Sequence, residues 1–90
     1  MRKQVVLKIY GKVQRVFFRD SSQRKAKELN LSGWVRNEPD GTVQIVAEGY
    51  ESGLKKLIEW CKNSPDHAKV DKVDVGWFNP INQFNDFLIK

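Results

Sequence analysis

The residues able to do chemistry in this chain cluster between Gly11 and Arg19, which read Gly-Lys-Val-Gln-Arg-Val-Phe-Phe-Arg. An alternating apolar stretch (Val5, Leu7, Ile9) precedes them, and polar, helix-like sequence follows from Asp20. A strand, a tight turn opened by a residue without Cβ, and a helix start would gather the backbone N–H groups of Gln14, Arg15, Val16, Phe17, Phe18 and Arg19 around one concavity. Such a concavity, at the positive end of a helix dipole, suits a small dianion such as phosphate. Arg19 would add a fork of charge-assisted donors. An arginine at a helix start is otherwise an ordinary solvated residue, mildly disfavoured by the dipole; a bound phosphate reverses that sign.

Other reactive side chains fare worse. Cys61 falls on the apolar stripe of a helical pattern, so packing outweighs nucleophilic use. The only histidine, His67, stands between Asp66 and Ala68 in loop-like sequence and reads as solvated. One cysteine and one histidine rule out a cysteine zinc cluster or a histidine pair as metal ligands. Asp71 and Asp74 are an odd number of residues apart in or near a strand, so they face opposite sides and make a poor acid/base pair. Trp34, Trp60 and Trp77 read as packing or partly exposed aromatics. Lys25 and Lys27, like Lys55 and Lys56, read as wet helix faces.

The stretch resembles the signature of the acylphosphatase family, Gly-x-Val-Gln-Gly-Val-x-Phe-Arg. Gly11, Val13, Gln14, Val16, Phe18 and Arg19 match it, and Arg15 departs from it. A second block, Gly33-Trp34-Val35-Arg36-Asn37 followed by Asp40-Gly41-Thr42-Val43, is similar to the family's Gly-Trp-Val-x-Asn and Gly-x-Val block. The likeness extends from Val5 to Ile89. It implies that Arg19 and the loop amides bind the phosphoryl group, and that Asn37 orients the attacking water. An asparagine entering a turn is commonplace, so Asn37 owes this role to the block. Its amide can accept from water and donate to phosphate. The implied activity is hydrolysis of acyl phosphates to carboxylate and inorganic phosphate, without metal or other cofactor. Such a mixed anhydride leaves as a stable carboxylate, so positioning and electrostatics suffice.

Arg15 stands where the family usually has its second loop glycine. If the position needs positive φ, the arginine costs on the order of 1–2 kcal/mol. Its side chain would cover the pocket, swing outward, or add a cation near the anion. We expect the loop fold to survive the change and activity to remain.

The elements that must position these groups follow from periodicity. Alternation gives strands at Gln4–Tyr10, Gly33–Asn37, Thr42–Glu48 and Lys72–Phe78, with a short fifth at Asp86–Ile89. Glu38-Pro39-Asp40-Gly41 predicts a hairpin turn, and Asn79-Pro80-Ile81-Asn82 a loop. Phe18, Ser22, Ala26 and Leu29 mark a first helix, capped by Asp20 or Ser21 and ended by a left-handed Asn30. Leu54, Leu57, Ile58 and Cys61 mark a second helix after a break at Gly49–Ser52, ended by Asn63-Ser64-Pro65-Asp66. The order βαββαβ predicts an α+β sandwich of the ferredoxin-like kind, with two helices on one face of an antiparallel sheet.

The 90 residues predict one small domain. No apolar run approaches the roughly 20 residues of a membrane span, and the expected protein is a cytoplasmic monomer. Sixteen basic against eleven acidic side chains, a net +5, favour anionic partners in general. RNA recognition domains share this layout, but they stack bases on aromatics of the open sheet face. Here the middle strands would present Lys8 and Tyr10 with Gln44, Val46 and Glu48, which lack the stacking pair. No specific nucleic-acid or membrane partner is expected. A phosphate-sensing domain without turnover is the remaining alternative, with inorganic phosphate as ligand rather than product.

Overall fold

A computed structural model describes residues 1–63 and 67–90; Ser64, Pro65 and Asp66 of the predicted second helix stop lie outside them. The elements run β1 (Arg2–Lys12), α1 (Phe18–Glu28), β2 (Ser32–Asn37), β3 (Val43–Tyr50), α2 (Glu51–Lys62), β4 (Lys69–Phe78) and β5 (Phe87–Ile89). The strands form one sheet in the order β4-β1-β3-β2-β5. Four pair antiparallel as expected, but β5 joins β2 in parallel, so the sheet is mixed. Both helices pack on the sheet, α1 against β2 and β5, and α2 against β1, β3 and β4.

The alternation read from the sequence sets the core. Val5, Leu7 and Ile9 of β1 lie opposite Ala47, Ile45 and Val43 of β3, and all six are fully buried. Leu54, Leu57, Ile58 and Cys61 of α2 close over them, with Phe18 and Ala26 of α1. Each large aliphatic side chain so buried stabilises the fold by about 1.5–3 kcal/mol. Burial pushes the Cys61 thiol up to about 12, so it stays protonated and inert, as its place on the stripe implied.

The end of α1 is as expected in kind. Asn30 sits at φ 60, its N–H donates to Lys27 O, and the N–H of Leu31 donates to Ala26 O. These paired bonds form a Schellman stop, with asparagine in the seat that favours glycine. The start of α1 differs. The helix begins at Phe18, so neither Asp20 nor Ser21 caps it; Phe17 is the N-cap residue, and among the described residues no side-chain cap bond forms there. The predicted break at Gly49–Ser52 is also absent, because β3 runs to Tyr50 and α2 starts at the next residue.

Gly11 does not open a turn. It lies inside β1, at φ 127, where the pairing register with β4 slips after Tyr10. A Cβ there would lie 2.1 Å from Lys69 O, so only glycine lets the two backbones approach. The strand continues to Lys12, and the loop proper is residues 13–17.

The sheet face away from the helices is less open than the sequence implied. Val46 and Glu48 are buried. Gln4 Nε2 donates to Glu48 Oε2 at 2.8 Å, as does the N–H of Ile81 at 2.7 Å; the N–H of Asn82 donates to Oε1 at 3.1 Å. The segment after β4 is thus fastened across this face by one carboxylate.

Candidate active site

The loop between β1 and α1 is held by its apolar residues and shaped by its backbone. Val13 and Phe18 are buried, and Val16 packs against the core from the side. Between these anchors, Arg15 and Phe17 take left-handed backbone conformations, φ 64 and φ 60, while Gln14 and Val16 do not. Such alternation in the sign of φ turns successive N–H groups toward one side, the geometry of an anion nest. The nest runs directly into the uncapped first turn of α1, whose leading N–H groups have no partner within the helix.

Positive φ at residue 15 explains why glycine would be favoured there, and Arg15 carries the expected strain. Phe17 carries the same strain, which nothing in the sequence signalled. Two such non-glycine residues in one short loop mark a site where backbone shape outweighs local cost.

A cavity of about 360 Å³ opens at this loop. Of the residues expected at the site, Arg15, Phe17, Phe18, Arg19 and Asn37 line it. Asp20 and Ile89 line it too. Ile89 was not foreseen, because it comes from the three-residue β5, which pairing with β2 and packing against α1 bring there. Val16 is on the core side rather than the cavity wall. Among the described residues, neither Arg15 nor Arg19 takes part in an ion pair, whereas Lys8, Lys25, Lys27, Arg36, Lys55 and Lys72 all do.

Asn37 closes β2, opposite Val43, and shares the inner face with Val35. Its Oδ1 is buried without a hydrogen-bond partner among the described residues. A buried acceptor left so is costly, by about 1–3 kcal/mol, and a polar ligand or water would relieve that cost.

The Gln14 side chain has a task of its own. Its Nε2 donates to Glu38 O at 2.8 Å and to Thr42 O at 2.9 Å, across the hairpin turn beside Asn37. The side chain therefore ties the loop to the strand end that carries Asn37. Gln14→Leu should lower kcat by about tenfold and cost about 1–3 kcal/mol of stability, read by urea unfolding beside the rate.

The same turn carries a pH dependence. Asp40 Oδ1 accepts from Thr42 N at 3.0 Å and Thr42 Oγ1 at 2.6 Å, and Oδ2 pairs with Lys8 Nζ at 3.0 Å. The Thr42 bonds first, then Lys8, bring the Asp40 carboxyl from 3.8 down to about 2. A carboxyl lowered by folding contributes stability above its unfolded value and loses it as pH falls through the folded one. The Asp40 contribution should therefore be complete above about pH 4 and fade towards pH 2, which an NMR titration of its side-chain carbon would follow.

Residues 5–89 match the acylphosphatase family model. The chain belongs to the acylphosphatase family. It is 51% identical over 81 residues to an acylphosphatase of Marinobacter nauticus, spanning 90% of this chain and 88% of that one. The crystal structure of acylphosphatase from Bacillus subtilis superposes with a TM-score of 0.93 at 36% identity, over 100% of this chain and 99% of that one. An acylphosphatase structure from Coxiella burnetii gives 0.92 at 36% identity, over 99% and 93%. The acylphosphatase resemblance read from the two sequence blocks, and the fold it implied, are those of the family; the family supports an acyl phosphate hydrolase.

Proposed function

We propose that the cavity hydrolyses the carboxyl–phosphate bond of small acyl phosphates, with Arg19 and the loop amides of residues 14–19 holding the phosphoryl group and Asn37 placing the water. The observation that carries this is the meeting of an uncapped helix start, a loop of alternating φ, an unpaired guanidinium and an unpartnered buried acceptor in one cavity. The substrate enters as an anion, and the N–H groups and Arg19 spread the charge on its phosphate oxygens. Asn37 Oδ1 accepts a hydrogen bond from water held in line with the leaving carboxylate. Water attacks phosphorus, the bond to the acyl oxygen breaks, and the carboxylate departs with the electron pair. The water proton passes to a phosphate oxygen, so inorganic phosphate is the second product. No protein base is needed in this sequence, because the leaving carboxylate is stable and the phosphate takes the proton. At about 360 Å³ the cavity is at the small end for ligand sites, which suits compact acyl groups.

The RNA-binding reading gains nothing from the sheet face. Tyr10 has Lys72 Nζ 4.4 Å and Lys8 Nζ 5.5 Å from its ring centre, and Trp34 has Lys90 Nζ at 4.7 Å and the Arg36 guanidinium at 4.8 Å. These rings are covered by the chain's own cations, and Lys8, Lys72 and Arg36 are themselves paired with Asp40, Asp74 and Glu38. We take the protein to act as a monomer in the cytoplasm, which its single buried thiol fits. No helix among the described residues is long and apolar enough to cross a membrane.

Benzoyl phosphate with excess chelator tests the proposal. The parent should release benzoate and phosphate stoichiometrically. Saturable phosphate binding with no turnover would instead favour the sensing domain.

A further inference from the structure

The hydrolase reading leaves Arg15 without a task. Arg15 is exposed and lines the cavity, yet among the described residues its side chain makes no ion pair or hydrogen bond. It is held there by a backbone conformation that glycine would adopt without strain. Arg19, at the helix start, is already placed for the phosphoryl group. The charged side chains of the wall are then Arg15, Arg19 and Asp20, two cations and one anion. The apolar residues of the same wall are Val13, Phe17, Phe18 and Ile89.

A substrate complementary to this wall has a phosphoryl group, an apolar body and a second anion. Resting on the hydrolase reading above, we propose that Arg15 is a specificity-determining residue that selects acyl phosphates whose acyl group itself carries a carboxylate or similar anion. The phosphoryl group sits in the loop and against Arg19. The acyl carbons cross Phe17 and Ile89. The distal anion meets Arg15, whose five donors in a flat fork match a carboxylate in two parallel bonds. Because Arg15 is exposed, the selection is electrostatic and salt-sensitive rather than steric.

The test compares benzoyl phosphate with 4-carboxybenzoyl phosphate, which share ring and phosphoryl group and differ by one carboxylate. Values of kcat/KM are measured for the parent, Arg15→Gln and Arg15→Lys, at low and at high salt. The quantity read is the ratio of the two substrates compared across variants, which cancels any general change in phosphoryl binding and the fixed difference in leaving group between the substrates. Arg15→Gln should reduce the preference for the carboxylated substrate about fivefold, and Arg15→Lys, which keeps the charge without the fork, should retain part of it. High salt should erase the difference between parent and Arg15→Gln. A ratio within twofold in parent and Arg15→Gln overturns the inference while leaving the hydrolase intact. So does an equal slowing of both substrates, which would make Arg15 a phosphoryl ligand. Failure of the parent to turn over either substrate would remove the hydrolase reading, and this inference with it.

Discussion

Arg19→Ala is expected to lower kcat/KM for benzoyl phosphate by about a thousandfold. The loop amides remain in that variant, but the strongest single charge facing the phosphoryl oxygens is gone. Because those oxygens are charged in the bound substrate as well as during transfer, both KM and kcat should suffer. Arg19→Lys restores a point charge without the flat fork, so it should recover about a tenth of the lost rate or less. Structure is not at stake, since Arg19 is half-buried and bonds no other described side chain. Circular dichroism and melting of Arg19→Ala should match the parent; a collapsed fold would make the rate uninformative, and Arg19→Gln then serves as the second variant.

Asn37→Ala is expected to separate binding from turnover. If Asn37 Oδ1 holds the water, kcat should fall by about a hundredfold to a thousandfold. Affinity for inorganic phosphate, held by the loop, should stay within about threefold of the parent. Stability should not fall, and a gain of up to about 1 kcal/mol is expected, because the variant deletes a buried acceptor that lacks a partner. More stable and less active is the signature of a polar group kept for chemistry. Loss of phosphate affinity equal to the loss of rate would instead make Asn37 a plain ligand.

The parts of this site that could be read directly were the ones set by local periodicity. Val5, Leu7 and Ile9 face inward because a pleated strand alternates, and Val43, Ile45 and Ala47 answer them across the sheet. Asn30 ends α1 because a short polar side chain tolerates the left-handed turn. The roles of Arg19 and Asn37 came from the family resemblance, and the fold then placed both on one cavity wall. What stayed hidden depends on distant pairing. Gly11 looks like a turn residue until β4 is laid beside it, when Lys69 O fills the space a Cβ would need. The Gln14 side chain has no evident partner until the hairpin turn, 24 and 28 residues away in the chain, brings Glu38 O and Thr42 O within reach. Glu48 reads as a solvent-facing carboxylate, yet peptide groups 33 and 34 residues further on bury it. Phe17 gave no warning of its backbone conformation, since phenylalanine is not a residue that favours positive φ.

Titration of nitrogen-15-labelled protein with inorganic phosphate, read amide by amide, tests the central claim most directly. Saturable shifts should be confined to residues 14–19 and the side chain of Asn37, unchanged by chelator and greatly weakened in Arg19→Ala. Shifts spread instead over the lysines of the helix faces at 25, 27, 55 and 56, with the loop amides still, would contradict it.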